Sequence, residues 1–246
     1  RRDWQGMLEI IVVDNDSSAE VRAYLRAEHA AGRIRFEPLD GNYGFTYAVN
    51  IGIALARPEA DVILLNNDAI AQPGAVQALQ RACLGNPQAG MTVPRQILPA
   101  GTKTLRTHVP FARETNDCDV NISAHHRNVA AVPVFHDGGG LELNYAAFFA
   151  VYIRRELLDE IGPLDAEYGR HYRSDRVYSD LMRNLTDYRM FYVPESHFIH
   201  KLQKATDHLR EVGEKDKSFE LMFKRNQWDA ETAERLNFRS PPWDVF

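Results

Sequence analysis

Three clusters of carboxylates and amides stand in the first third of this 246-residue chain: Asp14-Asn15-Asp16, Gly41-Asn42-Tyr43-Gly44 and Asn66-Asn67-Asp68. Ser174-Asp175 and the histidines His197 and His200 follow later. Polar groups at the carboxyl ends of strands are where open α/β sheets bind their ligands. Asp68 has the hard oxygen chemistry that suits Mg²⁺ or Mn²⁺ held against a phosphate, whereas soft thiolate sites select other metals. Each cluster taken alone also reads as a plain polar turn, so the surrounding elements decide. His200 likewise reads either as a metal ligand or as a partly buried histidine after a strand.

Those elements are marked by apolar runs and their punctuation. Residues 8–13 are a β-branched run and a strand. Ser17 and Glu20 have capping-box spacing for a helix with Val21, Tyr24 and Leu25 as its buried stripe. Gly32 ends that helix, and residues 34–39 give a second strand. The turn from Gly41 to Phe45 feeds a helix on which Phe45, Val49, Gly52, Ile53 and Ala56 share a face. The run 61–65 suits a strand buried on both sides. Pro73 opens a third helix with Val76, Leu79 and Cys83 inward, and residues 91–93 make another strand.

Strands alternating with helices indicate an α/β fold with a mostly parallel, doubly wound sheet. The segments 8–13, 34–39, 62–65 and 91–93 are therefore expected in one sheet. Periodicity is lost from Arg95 to Gly140, where long loops are expected, and Gly138-Gly139-Gly140 reads as a flexible turn. Residues 143–153 are an apolar strand segment, followed by a helix over 154–161 that closes at Gly162-Pro163. Ser174 can cap a helix over 175–185 with Val177, Leu181 and Leu185 inward. A strand at 190–193 is broken by Pro194, and the tail has helical spacing at Phe219, Met222 and Phe223. Residues 1–205 read as one domain and 206–246 as a helical extension packed on it.

The composition, 44% hydrophobic and 26% charged, is that of an ordinary globular protein. A net charge of −5 argues against a nucleic-acid binder, which needs a basic excess. Cys83 and Cys118 lack metal-site spacing and suit free thiols in a reducing, cytoplasmic setting. The longest apolar run, from Ala146 to Ile153, is too short to span a bilayer. His125-His126 and His171 suit solvated loops, and Asp165 suits a turn that satisfies backbone amides.

Six stretches in order carry a resemblance: residues 10–14 with Asn15; 41–45 with Asn50 and Gly52; 64–68 with Pro73-Gly74; 153–156; 161–165; and 192–195 with His200. The set resembles the family-2 glycosyltransferases of GT-A fold, in particular the bacterial rhamnosyltransferase-like branch. The resemblance implies a nucleotide-sugar site at Asp14, Asn15, Asp16, Asn42, Gly44, Asn50 and Asn67. It implies a Mn²⁺ or Mg²⁺ site at Asp68 and His200, and a general base at Asp175. It further implies an inverting transfer from a UDP- or dTDP-sugar to a glycan or lipid-linked acceptor in polysaccharide biosynthesis, with peripheral contact at the inner membrane face and further domains of a longer chain as fitting company.

Two departures from the pattern stand out. Ser174 occupies a place where relatives carry Glu, and Tyr178 one where they carry an acidic residue. The family's first strand is expected ahead of Leu8. These departures keep a second reading in view, a glycosyltransferase-like module that binds or assembles without catalysis. A nucleotidyltransferase is weaker, because no Gly-rich basic loop follows the first strand.

Overall fold

A computed structural model describes residues 8–97, 135–136, 140–143, 146–165 and 174–201. Of the loops expected over 95–140, residues 98–134, with Cys118 and His125-His126, and 137–139, with Gly138-Gly139, lie outside the described residues, as do His171 and the tail beyond Lys201. The chain runs β1 (Ile11–Asp14), α1 (Ala19–Ala30), β2 (Arg35–Pro38), α2 (Phe45–Leu55), β3 (Val62–Leu65), β4 (Ala69–Ala71) and α3 (Ala75–Gly85). It continues with β5 (Ala89–Ile97), β6 (Phe135–His136), β7 (Gly140–Leu143), β8 (Ala150–Ile153), α4 (Arg155–Ile161), α5 (Ser174–Leu185) and β9 (Arg189–His200). The α/β class expected from the sequence is the observed one.

Seven of these strands form the central sheet, in the order β3-β8-β5-β9-β7-β6 with β4 also paired to β9. Alternation along its inner strands splits the core between the two faces. Val151 and Ile153 of β8 join Met190 and Tyr192 of β9 on one face, under Leu157 of α4, Met182 of α5 and Phe45, Val49 and Ile53 of α2. Ala150 and Tyr152 join Phe191 and Val193 on the other, under Ala75, Leu79 and Cys83 of α3. One close approach requires glycine: a Cβ on Gly90 would stand 2.7 Å from Tyr188 Cβ and 3.0 Å from Leu157 Cδ2.

The pairing differs from the expectation of one mostly parallel sheet. β1 and β2 form a separate two-stranded parallel sheet. In the central sheet only β5–β9 is parallel, because β8 inserts antiparallel between β3 and β5. β8 arrives from far along the chain, so its place is a non-local choice that local patterns do not encode. The strand expected at 91–93 extends to Ile97, because its second half pairs with His197 to Ile199 of β9. Pro194 does not end β9. It falls where the register jumps from Val193 to His197, a bulge that leaves its missing N–H outside the ladder.

Helix details shift as well. The cap of α1 is Ser18, whose hydroxyl accepts from Val21 N, not Ser17. The stripe expected on α1 is not buried: Val21 is 44% and Tyr24 63% exposed. Pro73 precedes the N-cap Gly74, so α3 begins two residues later than expected. Leu185, expected inside, is exposed, whereas Tyr178 and Met182 are buried. No described helix is long and apolar enough to cross a membrane.

Candidate functional site

The first cluster closes β1. Asp14 is buried, with Oδ1 accepting from Ser17 N at 3.0 Å and Oδ2 from Arg22 Nε at 2.6 Å. Arg22 also reaches Leu39 O, which ties α1 to the end of β2. Burial alone would raise the Asp14 pKa, but the Ser17 hydrogen bonds and the Arg22 guanidinium outweigh it and hold the carboxyl below its ordinary value. Asp16 turns the chain with φ of 75°, a left-handed conformation that a short polar side chain tolerates.

Asn15 and the Gly41–Phe45 turn form one hydrogen-bonded unit. Asn15 Nδ2 donates to Asn42 Oδ1 at 3.1 Å, and Asn15 Oδ1 accepts from Tyr43 N at 2.7 Å. Asn42 Oδ1 also accepts from Gly44 N. Gly44 stands at φ 88°, ψ 171° as the N-cap of α2, a conformation that disfavours any side chain. Tyr43 and Tyr47 present a tilted, half-exposed ring pair beside this unit, centroids 5.1 Å apart. Asn50 faces elsewhere, exchanging two hydrogen bonds with the backbone of Leu164.

The third cluster meets His200. Asn66 N donates to Phe149 O, Ala69 N closes a turn on Asn66 O, and β4 then pairs antiparallel with β9, setting Ala69 opposite His200. Asp68 O accepts from Lys201 N, and its carboxylate Oδ1 lies 3.2 Å from His200 Nε2. Asn67 is exposed on this turn. The imidazole stacks on Phe149, centroids 4.6 Å apart and planes 9° apart, and its Nδ1 lies 3.3 Å from Gln96 Oε1. Adjacent ligands of a six-coordinate Mg²⁺ or Mn²⁺ with bonds of ~2.1 Å sit about 3 Å apart. One carboxylate oxygen and one imidazole nitrogen at the observed spacing therefore fit neighbouring positions on a divalent ion. Among the described residues no third His, Cys, Asp or Glu joins them.

Asp175 lies in the first turn of α5, where the helix dipole favours its charged form. Ser174, before it, is buried. Tyr178, one turn on, is fully buried with its ring edge against Phe148, and its hydroxyl donates to Gly162 O at 3.1 Å. Burial raises the pKa of that phenol and keeps it protonated. Phe148 and Phe149 thus link α5 on one side to His200 on the other.

The 153–156 stretch is a backbone clamp. Arg154 Nη2 donates to Cys83 O and Asn86 O, and its Nε to Ala89 O. Arg155 donates to Ala60 O and Arg57 O, and Asp61 accepts from Arg155 N and the Tyr152 hydroxyl. Sequence reasoning missed Gln96, Phe149 and Arg22. Gln96 follows Pro94 with no periodic partner, while an Arg eight residues after a strand-ending Asp, one helix turn past the cap, is a readable signal.

Comparisons with known proteins agree with this architecture. No curated protein matches the chain. Among solved structures, GalNAc-T7 with UDP, GalNAc and Mn²⁺ is similar with a TM-score of 0.55 at 15% identity, over 78% of this chain and 37% of that one. The mannosyltransferase PcManGT from Pyrobaculum calidifontis, in complex with GDP-Man and Mn²⁺, gives 0.52 at 16% identity over 93% and 58%. TarS 1-349 from S. aureus gives 0.51 at 12% over 83% and 54%. The chain therefore spans between 37% and 58% of the length of these structures. Likeness at such identity shows the fold, that of the GT-A glycosyltransferases. The family model for Glycosyl transferase family 2 matches residues 4–161, well over half of the sequence, and the chain belongs to that family.

Proposed function

We propose that this protein is an inverting glycosyltransferase that moves a sugar from a UDP- or dTDP-sugar to a hydroxyl of a glycan or lipid-linked acceptor. The observation that carries the reading is the Asp68–His200 pair, a hard oxygen and an imidazole nitrogen 3.2 Å apart beside the Asn66-Asn67 turn. The Mn²⁺ and nucleotide named with GalNAc-T7 and PcManGT support a divalent ion and a nucleotide sugar for this chain too. Asp68 and His200 would hold that ion, which when bound neutralises charge developing on the departing diphosphate. The Asn15–Asn42–Tyr43 unit would shape the nucleotide pocket, since its amides are already fixed to one another. Asp14, its side chain buried and bonded to Ser17 and Arg22, would hold the start of α1 beside that unit.

Asp175 would take the proton from the acceptor hydroxyl as its oxygen attacks the anomeric carbon and the nucleoside diphosphate leaves. Carboxylates at a helix start are weak bases in the ground state, so the transfer comes late, once the hydroxyl has become acidic. A single displacement with no covalent sugar on the protein inverts the anomeric centre. The second reading, a module without catalysis, is favoured by Ser174 and Tyr178, whose burial leaves neither able to stand in for an exposed acid.

The test titrates UDP and dTDP against wild type and Asp68→Ala, with and without Mn²⁺, and measures hydrolysis and transfer of the sugar. Mn²⁺-dependent nucleotide affinity that disappears in Asp68→Ala is expected, with the fold intact by circular dichroism. Equal affinity in both proteins would remove Asp68 from the site. Mn²⁺-dependent binding without any turnover would favour the module.

A further inference from the structure

Gln96 Oε1 lies 3.3 Å from Nδ1 of His200, the ring nitrogen turned away from Asp68. Gln96 is 1% exposed, so its contacts are fixed by the interior and not by solvent. β5 and β9 run parallel here with Gln96 beside Phe198, which puts Gln96 and His200 on the same face of adjacent strands. Phe149 holds the imidazole plane by stacking, leaving rotation about that plane to the hydrogen bonds at its two nitrogens.

A neutral imidazole carries one ring proton. With Oε1 of Gln96 toward Nδ1, that proton sits on Nδ1, and Nε2 turns a lone pair toward Asp68 Oδ1 at 3.2 Å. Two lone pairs facing at that distance repel unless a cation, a metal ion or a second ring proton, lies between them. The amide also leaves its own Nε2 buried without a partner among the described residues, a cost that an indifferent core glutamine would not carry. Reversing the amide cures the repulsion. Its NH₂ then donates to Nδ1, and the ring proton moves to Nε2 to donate to Asp68.

We propose that Gln96 is the positioning residue of this centre, and that its amide selects the His200 tautomer. Oε1 toward Nδ1 is the metal-holding arrangement, and the reversed amide is the resting one. The inference rests on the metal reading of Asp68 and His200 given above. It assigns Gln96 no contact with donor or acceptor, only control of which ring nitrogen offers a lone pair. Partners of this kind behind a metal-bound histidine typically govern affinity by about 10–100-fold.

The experiment titrates Mn²⁺ into the purified protein with saturating UDP, reading free Mn²⁺ by electron paramagnetic resonance, for wild type, Gln96→Met, Gln96→Glu and His200→Ala. Imidazole ¹⁵N shifts of His200 are recorded without metal and with Mg²⁺. Gln96→Met is expected to bind Mn²⁺ roughly 10–100-fold more weakly, while Gln96→Glu, which can only accept from Nδ1–H, restores the affinity. The wild-type ring proton is expected on Nε2 without metal and on Nδ1 with Mg²⁺. If His200→Ala loses Mn²⁺ but Gln96→Met binds as wild type, the metal reading stands and Gln96 has no such role. A proton on the same nitrogen in both states also overturns the proposal, and it decides the matter should Gln96→Met fail to fold. Mn²⁺ binding indifferent to His200→Ala would overturn the metal reading itself.

Discussion

Asp14 shows how one residue's environment decides what it can do. The resemblance groups it with the nucleotide-binding residues; in the structure its oxygens accept from Ser17 and Arg22, and its amide neighbour Asn15 meets the Gly41–Phe45 turn. Because its folded pKa is depressed, Asp14 contributes stability above its unfolded value and loses it as the pH falls through the folded one. Asp14→Asn should cost about 1–3 kcal/mol in urea unfolding at pH 7. The gap between the two proteins should close in strong acid, where Asp14 is protonated as well; a gap that persists there would mean that the charge is not what matters. Cys83 illustrates the opposite case. Burial pushes its thiol up to about 11, with Arg154 only partly offsetting the effect. In a Cys118→Ser background, an aromatic disulfide reagent at pH 8 should label no thiol in the native protein and one after denaturation. Labelling of the native protein at the rate of a free thiol would show that the end of α3 opens readily.

At the scale of elements, what was legible was whatever repeats locally. The strands β1 and β3 and the inner faces of α2 and α3 follow from runs and stripes, because such patterns need only a neighbouring surface. The Ile153-Arg154-Arg155 stretch was visible as a motif, but its work was not, since its carbonyl partners lie some 65 to 98 residues earlier. Arg154 gathers the carbonyls of Cys83, Asn86 and Ala89 at the end of α3, where a cation also complements the helix dipole. Arg154→Met should therefore cost about 2–3 kcal/mol, because partly buried carbonyls lose charged donors. Arg154→Lys should rescue little of it, since one ammonium lacks the planar fork that reaches all three. Urea midpoints check both variants, and a lysine variant as stable as wild type would reduce the clamp to a simple charge effect. Gln96 was invisible for a related reason: its meaning comes from β9, not from its own strand.

The whole molecule divides unevenly, and the division explains both the missed topology and the exposed face of α1. β1 and β2 pair only with each other among the described residues, and β3 pairs only with β8. Helix α2 bridges the two sheets, with Gly52 against Val13 on one side and Phe45, Val49 and Ile53 in the central core on the other. A stripe on α1 marks a face to be covered, but sequence periodicity does not say by what, and α1 has no buried residue. Free energy of local opening follows buried apolar contact, so these parts should not share one stability. Hydrogen exchange followed by mass spectrometry is expected to show β1, β2 and α1 exchanging well before β8, most of β5 and residues 190–193 of β9, whose side chains are buried on both faces. The amides of β3 should fall between, because one of its edges pairs with β8 and the other with no described strand. Uniform protection across both sheets would mean instead that the β1–β2 pair folds and unfolds with the central core.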